Sequence, residues 1–267
     1  MSFKNKVVVI TGATGGMGRA LCRRFGRAGA KIALLDLHRE TLEVLARELN
    51  QTGIQTLALP CDVTDEPACQ IAMQNIIEAF GGIDVLINNA GLTQRSAFEK
   101  TQSSVFRKVM DVNFLGALHC TQAALPALIK NHGLIIVMSS IAGFSPLYGR
   151  SGYSASKYAL HGLFESLRCE LKAQGVHVMM VCPGFTATDI EKNALDGDGH
   201  PTMHPRSTTG KIAAPDEVAE AIYLAAKQKK RLLVLSTMGK LAYLLAKFFP
   251  ALYEKMMTQR LQQELQR

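Results

Sequence analysis

No leader is expected: Met1-Ser2-Phe3-Lys4-Asn5-Lys6 runs almost directly into a short apolar strand, with no apolar stretch or small-residue cleavage site between. It also lacks any run that reads as long and apolar enough to span a bilayer. These two absences make a cytoplasmic protein the expectation. The six cysteines (Cys22, Cys61, Cys69, Cys120, Cys169 and Cys182) form no CxxC pair and have no histidine or cysteine partners at metal-ligand spacing. Neither a disulfide nor a metal is expected, and most of the six lie among apolar neighbours as small core residues. No internal repeat and no low-complexity linker interrupts the chain. Charge is sparse at 19%, against 48% hydrophobic residues, so the composition excludes a disordered chain and supplies a large core.

What is present is a steady alternation. Short apolar runs at Lys6–Ile10, Lys31–Leu35, Gln55–Leu59, Val85–Ile87, Leu134–Met138, Val176–Val181 and Arg231–Leu235 are separated by helical windows such as Gly18–Ala28, Arg39–Asn50 and Ala68–Phe80. Strand, helix, strand in alternation predicts an α/β fold. The expected architecture is a single doubly wound, Rossmann-type domain: a parallel sheet of about seven strands with helices on both faces. Continuous β-branched runs such as Val7-Val8-Val9-Ile10 suit strands buried on both sides. At 267 residues one such domain accommodates the chain, with residues 1–236 as its body and 237–267 as a C-terminal amphipathic helical extension. Ligands of such sheets bind beyond the carboxyl ends of the strands, so residues just after each strand carry the functional reading.

After the first strand comes Thr11-Gly12-Ala13-Thr14-Gly15-Gly16-Met17-Gly18, opening a helix. Glycine lets the backbone turn sharply and approach a pyrophosphate, and the helix start offers free N–H groups to its charge. Gly12, Thr14, Gly16, Met17 and Gly18 are therefore expected at a dinucleotide. The second strand ends in Asp36, an acceptor for ribose hydroxyls that would repel a 2′-phosphate. No base stands at Leu37 or Thr14 to offset it, so NAD is favoured over NADP as the cofactor, with Arg19 and Arg39 close enough to argue the other way. Asp62 and Val63 after the third strand, and Asn89, Ala90 and Gly91 after the fourth, lie where adenine and the nicotinamide ribose should rest, although Asn and Gly also favour turns for their own reasons.

The most specific signal is Tyr153-Ser154-Ala155-Ser156-Lys157 in a helical stretch. A spacing of four puts phenol and ammonium on one face. A nearby cation favours phenolate and makes the tyrosine a usable general acid or base. Thirteen residues before it, the fifth strand ends in Ser139-Ser140, a hydroxyl placed to hold a substrate oxygen as charge develops.

From about Lys4 to Leu235 the chain resembles the short-chain dehydrogenase/reductase family, through the glycine turn at Thr11–Gly18, Asn88–Gly91, Asn113, Ser140 with Tyr153 and Lys157, and Pro183-Gly184, all in the family's order and spacing. The resemblance implies an NAD(P)-dependent oxidoreductase acting on an alcohol or ketone. It implies Tyr153 as proton donor or acceptor and Ser140 as the group polarising the substrate oxygen. Lys157 would lower the tyrosine pKa and bind the nicotinamide ribose, and Asn113 would hold a relay water. Pro183 and Gly184 would shape the backbone beside the nicotinamide, with Thr186 and Thr188 at the carboxamide and phosphates. A homodimer or homotetramer is also implied.

Other features are less committed. His119, His161 and His177 read as surface or satisfied core residues, while His200 and His204 lie in an irregular Asp196–Lys211 loop and form no metal site. Asp216-Glu217 after Pro215 reads as a helix start. Phe144, Pro146, Leu147, Phe185 and Met203 point to an apolar pocket and a hydrophobic substrate. The formal charge is +8, and from Lys227 onward nine basic residues face two acidic ones. Leu241, Leu244, Leu245, Phe248 and Leu252 recur there at helical spacing, with Pro250 dividing two helices. A pair of helices packed on the core or on a second subunit is expected, with peripheral contact to an anionic membrane as the alternative. A dinucleotide-binding regulator would not need the Ser140, Tyr153, Lys157 and Asn113 set. Nucleic acid is not expected as a partner, since the tail has few aromatics placed for base stacking.

Overall fold

Val7–Thr11 forms β1, the strand around which the rest is arranged. The computed structural model describes residues 2–188, 190, 193–202 and 212–266. The remaining strands are β2 (Lys31–Asp36), β3 (Thr56–Pro60), β4 (Val85–Asn88), β5 (Leu134–Met138), β6 (His177–Cys182) and β7 (Leu232–Val234). All pair in parallel in the order β3-β2-β1-β4-β5-β6-β7, with Ile10 in register with Leu34 on one side and Ile87 on the other. The order reverses between β1 and β4, and their carboxyl ends open the crevice where a ligand belongs.

Alternation along each strand divides the core in two. Val8 and Ile10 of β1, Ile32 and Leu34 of β2, and Met179 and Val181 of β6 face one side. Against them pack α1 (Gly16–Arg27) through Leu21 and Phe25, α2 (Arg39–Gln51) through Leu42 and Leu45, and α7 (Pro215–Lys227) through Val218 and Ile222. Val7, Val9, Leu35, Leu86, Ile135 and Val137 face the other side. There α3 (Glu66–Phe80), α5 (Gly116–Lys130) and α6 (Ser151–Glu170) contribute Met73, Cys120, Leu128, Leu160 and Phe164. A sheet covered on both faces is what continuous apolar strands require.

Two elements depart from the sequence reading. α4 (Ser103–Met110) runs through a π turn at Asp111–Leu115 directly into α5, so Ser103–Lys130 is one helix of 28 residues. By length and composition it could cross a membrane, contrary to the expectation that no stretch reaches that length. Val105, Val109, Cys120, Ala124 and Leu128 along it are buried, so much of its apolar character is spent against the rest of the molecule. A soluble core helix passes the same composition test.

The tail folds as two helices, α8 (Thr237–Phe248) and α9 (Pro250–Gln266), divided at Pro250 as the sequence indicates. Ser236 caps α8, its Oγ accepting from Gly239 N at 2.8 Å. Both helices lie on the loop after β5 of the same chain. Ser145 Oγ donates to Ala242 O at 3.3 Å, Tyr253 OH donates to Pro146 O at 3.1 Å, and the rings of Phe144 and Tyr243 meet edge to face at 5.0 Å.

Candidate active site

The glycine turn is built for close approach. Gly12 has φ +62, a left-handed backbone, and a Cβ there would lie 2.9 Å from Ala90 Cα. At Gly18 a Cβ would fall 2.1 Å from Gly12 O. Thr11 Oγ1 accepts from Asn89 N and Ala90 N at 3.0 and 2.9 Å, and Asn89 Nδ2 donates to Thr11 O and Gly12 O. The ends of β1 and β4 are thereby locked together. Thr11 escaped the sequence reading, though it opens the same motif. The start of α1 has no side-chain cap and no acid in its first turn, and Thr188 faces Gly16 across the crevice. Uncapped N–H groups beside a cradle of glycines fit a pyrophosphate.

Asp36 closes the other side of that cradle. Its Oδ2 accepts from Thr14 N at 2.9 Å and Thr14 Oγ1 at 2.6 Å, and its Oδ1 accepts from Leu37 N at 2.8 Å. A carboxylate has lone pairs left beyond these three bonds. Two cations stand near Asp36, each with a carboxylate of its own. Arg19 donates through Nε to Thr14 O at 2.9 Å and pairs with Glu48 at 3.1 Å, and Arg39 faces Glu43 at 3.9 Å. After β3, Asp62 Oδ1 accepts from Thr64 N and Oγ1, and Val63 is buried with its carbonyl against His119 Nδ1.

Tyr153 and Lys157 stand one turn apart on α6, with Lys157 Nζ 5.6 Å from the tyrosine ring centroid. Lys157 is only 5% exposed, and its Nζ donates to Met138 O at the end of β5 at 2.8 Å. Burial pulls its pKa down from 10.5 to about 8. Ser140, next but one after β5, adopts an extended backbone and caps the turn Ile141–Gly143, its Oγ accepting from Ala142 N at 3.2 Å. Asn113 lies in the π turn, and both ends of its side-chain amide are engaged. Oδ1 accepts from Leu92 N at 2.7 Å, and Nδ2 donates to Leu92 O at 2.9 Å and Ser156 Oγ at 2.8 Å. It thus ties the loop after β4 to α6. Gly91 beside it leaves room, since a Cβ there would lie 3.1 Å from Asn113 Oδ1 and 3.7 Å from Lys157 Nζ.

Ser140, Tyr153, Lys157 and Gly91 share one cavity of about 620 Å3, while Asn113 is not among its lining residues. Ser140, Tyr153, Lys157, Met17, Asn89, Gly91, Pro183, Gly184, Thr186 and Thr188 line it from the sheet side. The opposite wall comes from the tail: Met238, Leu241, Ala242 and Leu245 of α8, and Met256 and Met257 of α9. A few converging polar groups in an apolar enclosure is the usual make-up of a small-molecule site. Leu147 and Phe185 line the cavity as expected. Phe144 and Pro146 do not line it; their contacts with Tyr243 and Tyr253 make them the seat of the tail instead. Met203 and His204 lie outside the described residues. His200 sits in a turn, its main chain paired with Asp196.

Comparison with known proteins identifies the family. The model of the short chain dehydrogenase family matches residues 6–199. Dehydrogenase/reductase SDR family member 7B of Bos taurus is 38% identical over 270 residues, covering 98% of this chain and 83% of its own. A Drosophila melanogaster protein named dehydrogenase/reductase SDR family protein 7-like is 33% identical, over 96% of this chain and 80% of its own. Among solved structures, a short chain dehydrogenase/reductase from Burkholderia phymatum in complex with NAD superposes with a TM-score of 0.85 at 24% identity, covering 94% of this chain and 96% of its own. An alcohol dehydrogenase from the archaeon Thermococcus sibiricus complexed with 5-hydroxy-NADP gives 0.75 at 29% identity, over 86% and 94%.

Proposed function

The chain belongs to the short-chain dehydrogenase/reductase family, and on that premise we propose that it interconverts an apolar secondary alcohol and its ketone with NAD as the preferred cofactor. The observation that carries the reading is the meeting of Ser140, Tyr153 and Lys157 on one wall of a largely apolar cavity that also reaches Met17, Asn89 and Thr188 beside the glycine turn. A bound nicotinamide dinucleotide supplies or receives the hydride. The chain's own residues do the rest.

The Tyr153 hydroxyl gives a proton to the substrate oxygen in reduction and takes it in oxidation. The Lys157 ammonium, on the same helix face, favours the phenolate and so brings that proton within reach at working pH. Ser140 Oγ donates to the substrate oxygen and fixes its position. Asn113, in the π turn, would hold a water between Lys157 and solvent. Gly12, Gly16, Met17, Gly18 and Thr188 would hold the pyrophosphate. Thr14, which orients Asp36, would reach the cofactor, and Asp36 would accept from the adenosine ribose. Asp62 and Val63 would hold the adenine, and Ala90, Gly91, Pro183, Gly184 and Thr186 the nicotinamide end. Asp36 at the end of β2, with Arg19 and Arg39 facing Glu48 and Glu43, supports NAD over NADP. Assembly as a homodimer or homotetramer belongs to the proposal and is read by analytical ultracentrifugation.

The test is a spectrophotometric screen of cyclic and long-chain secondary alcohols with NAD. Wild type should form NADH with at least one apolar member. Tyr153→Phe should lose about a hundredfold or more in rate while binding NADH as before. Equal rates in both proteins would remove Tyr153 from the mechanism.

A further inference from the structure

The tail helices are apolar on two sides, and only one side is accounted for. Ala242, Leu245 and Met257 turn inward and line the cavity. Leu244, Phe248, Phe249 and Leu252 turn outward and are 52%, 62%, 61% and 50% exposed. Met238, Leu241 and Met256 belong to both sets: they line the cavity, yet they stand 44%, 48% and 39% exposed. They form the rim where the cavity opens onto the outer patch. A helix apolar all round is normally covered all round, and a contiguous exposed patch of large side chains marks a binding surface.

The charge around the patch identifies what covers it. Lys240 and Lys247, seven residues apart, follow one edge of the Leu241, Leu244, Phe248 stripe. Lys255 stands on α9. From Thr237 to the end, five basic residues stand against two acidic ones. Apolar side chains bordered by lysine are the make-up of a helix lying in an anionic lipid surface. A second copy of the chain fits less well. A two-fold interface that lays α8 antiparallel on its own copy would bring the two lysine rows together.

We propose that the outer face of α8 and α9 seats in the surface of an anionic lipid bilayer. The cavity mouth then opens toward the acyl chains, and the substrate is an alcohol or ketone dissolved in the lipid phase. The seating stands on the surface alone; the substrate clause rests on the oxidoreductase reading above.

Co-sedimentation with vesicles tests it. One set is phosphatidylcholine with phosphatidylglycerol, the other phosphatidylcholine alone, each at low and high salt. Wild type should pellet with the mixed vesicles at low salt and be released by high salt. The double variants Leu244→Glu/Phe248→Glu and Lys240→Glu/Lys247→Glu should each lose at least about tenfold in partitioning. None of those four residues lines the cavity, so NADH titration of the same preparations should be unchanged. Vesicle binding without NADH binding would keep the seating and sink the oxidoreductase reading. Wild type that ignores the mixed vesicles, or variants that pellet like wild type, would overturn the seating. So would a wild-type dimer that Leu244→Glu/Phe248→Glu splits into monomers, which would assign the patch to a second copy.

Discussion

Lys157 shows how much of the chemistry depends on where one side chain is buried. Its ammonium is almost out of water, and burial lowers its pKa from 10.5 to about 8. Below about pH 8 both the folded and the unfolded chain carry the proton, and the cost of burying charge is met in full. Between about 8 and 10 the folded chain gives up its proton first, so stability rises with pH. Thermal melts across that range should therefore show wild type gaining on Lys157→Met as pH increases. The opposite slope would mean the lysine is not the buried cation described. Activity should move the other way: kcat/KM for ketone reduction should fall above about pH 8, as Tyr153 loses the cation that acidifies it. Asp36 carries the second residue-scale prediction. Asp36→Asn keeps an acceptor for Thr14 but removes the charge, so the preference for NADH over NADPH should narrow by about tenfold in paired titrations.

Elements position these residues, and the glycine turn tolerates little. A methyl at Gly18 would meet Gly12 O at 2.1 Å, so Gly18→Ala should destabilise the fold by about 1–3 kcal/mol and weaken NADH binding. Differential scanning fluorimetry with and without NADH reads both effects. At this scale the sequence was most informative where local pattern and global fold agree. Val7-Val8-Val9-Ile10 and Leu134–Met138 are apolar on both faces because both faces are covered, and their bounds were legible to within a residue or so. The fused helix at Ser103–Lys130 was not, because a π turn carries no composition signal of its own. Thr11 was overlooked because its hydroxyl matters only once β4 lies beside β1. The tail was half legible. Pro250 and the leucine spacing gave two helices, but periodicity cannot say which neighbour a stripe faces. Leu245 turned into the cavity while Leu244 turned out.

For the whole molecule, the site is an enclosure closed by the last two helices over a crevice that the sheet topology creates. In the proposed reaction the sheet, glycine turn and α6 would supply the cofactor cradle and the proton-transfer group. α8 and α9 supply the apolar wall, so substrate and cofactor affinities should respond to different mutations. Leu245→Asp, which places a charge in that wall, should raise KM for an apolar alcohol by about tenfold or more and leave the NADH Kd alone. Parallel steady-state kinetics and NADH titration separate the two. The most direct measurement of the central claim is a fluorescence titration of the purified protein with NADH and, separately, NADPH. The chain has no tryptophan, so cofactor emission can be followed against a low protein background. Saturable binding with NADH tighter than NADPH is the predicted result and places the ribose at Asp36. Tighter NADPH would contradict that assignment and give the site to Arg19 or Arg39, and binding of neither would contradict the oxidoreductase account itself.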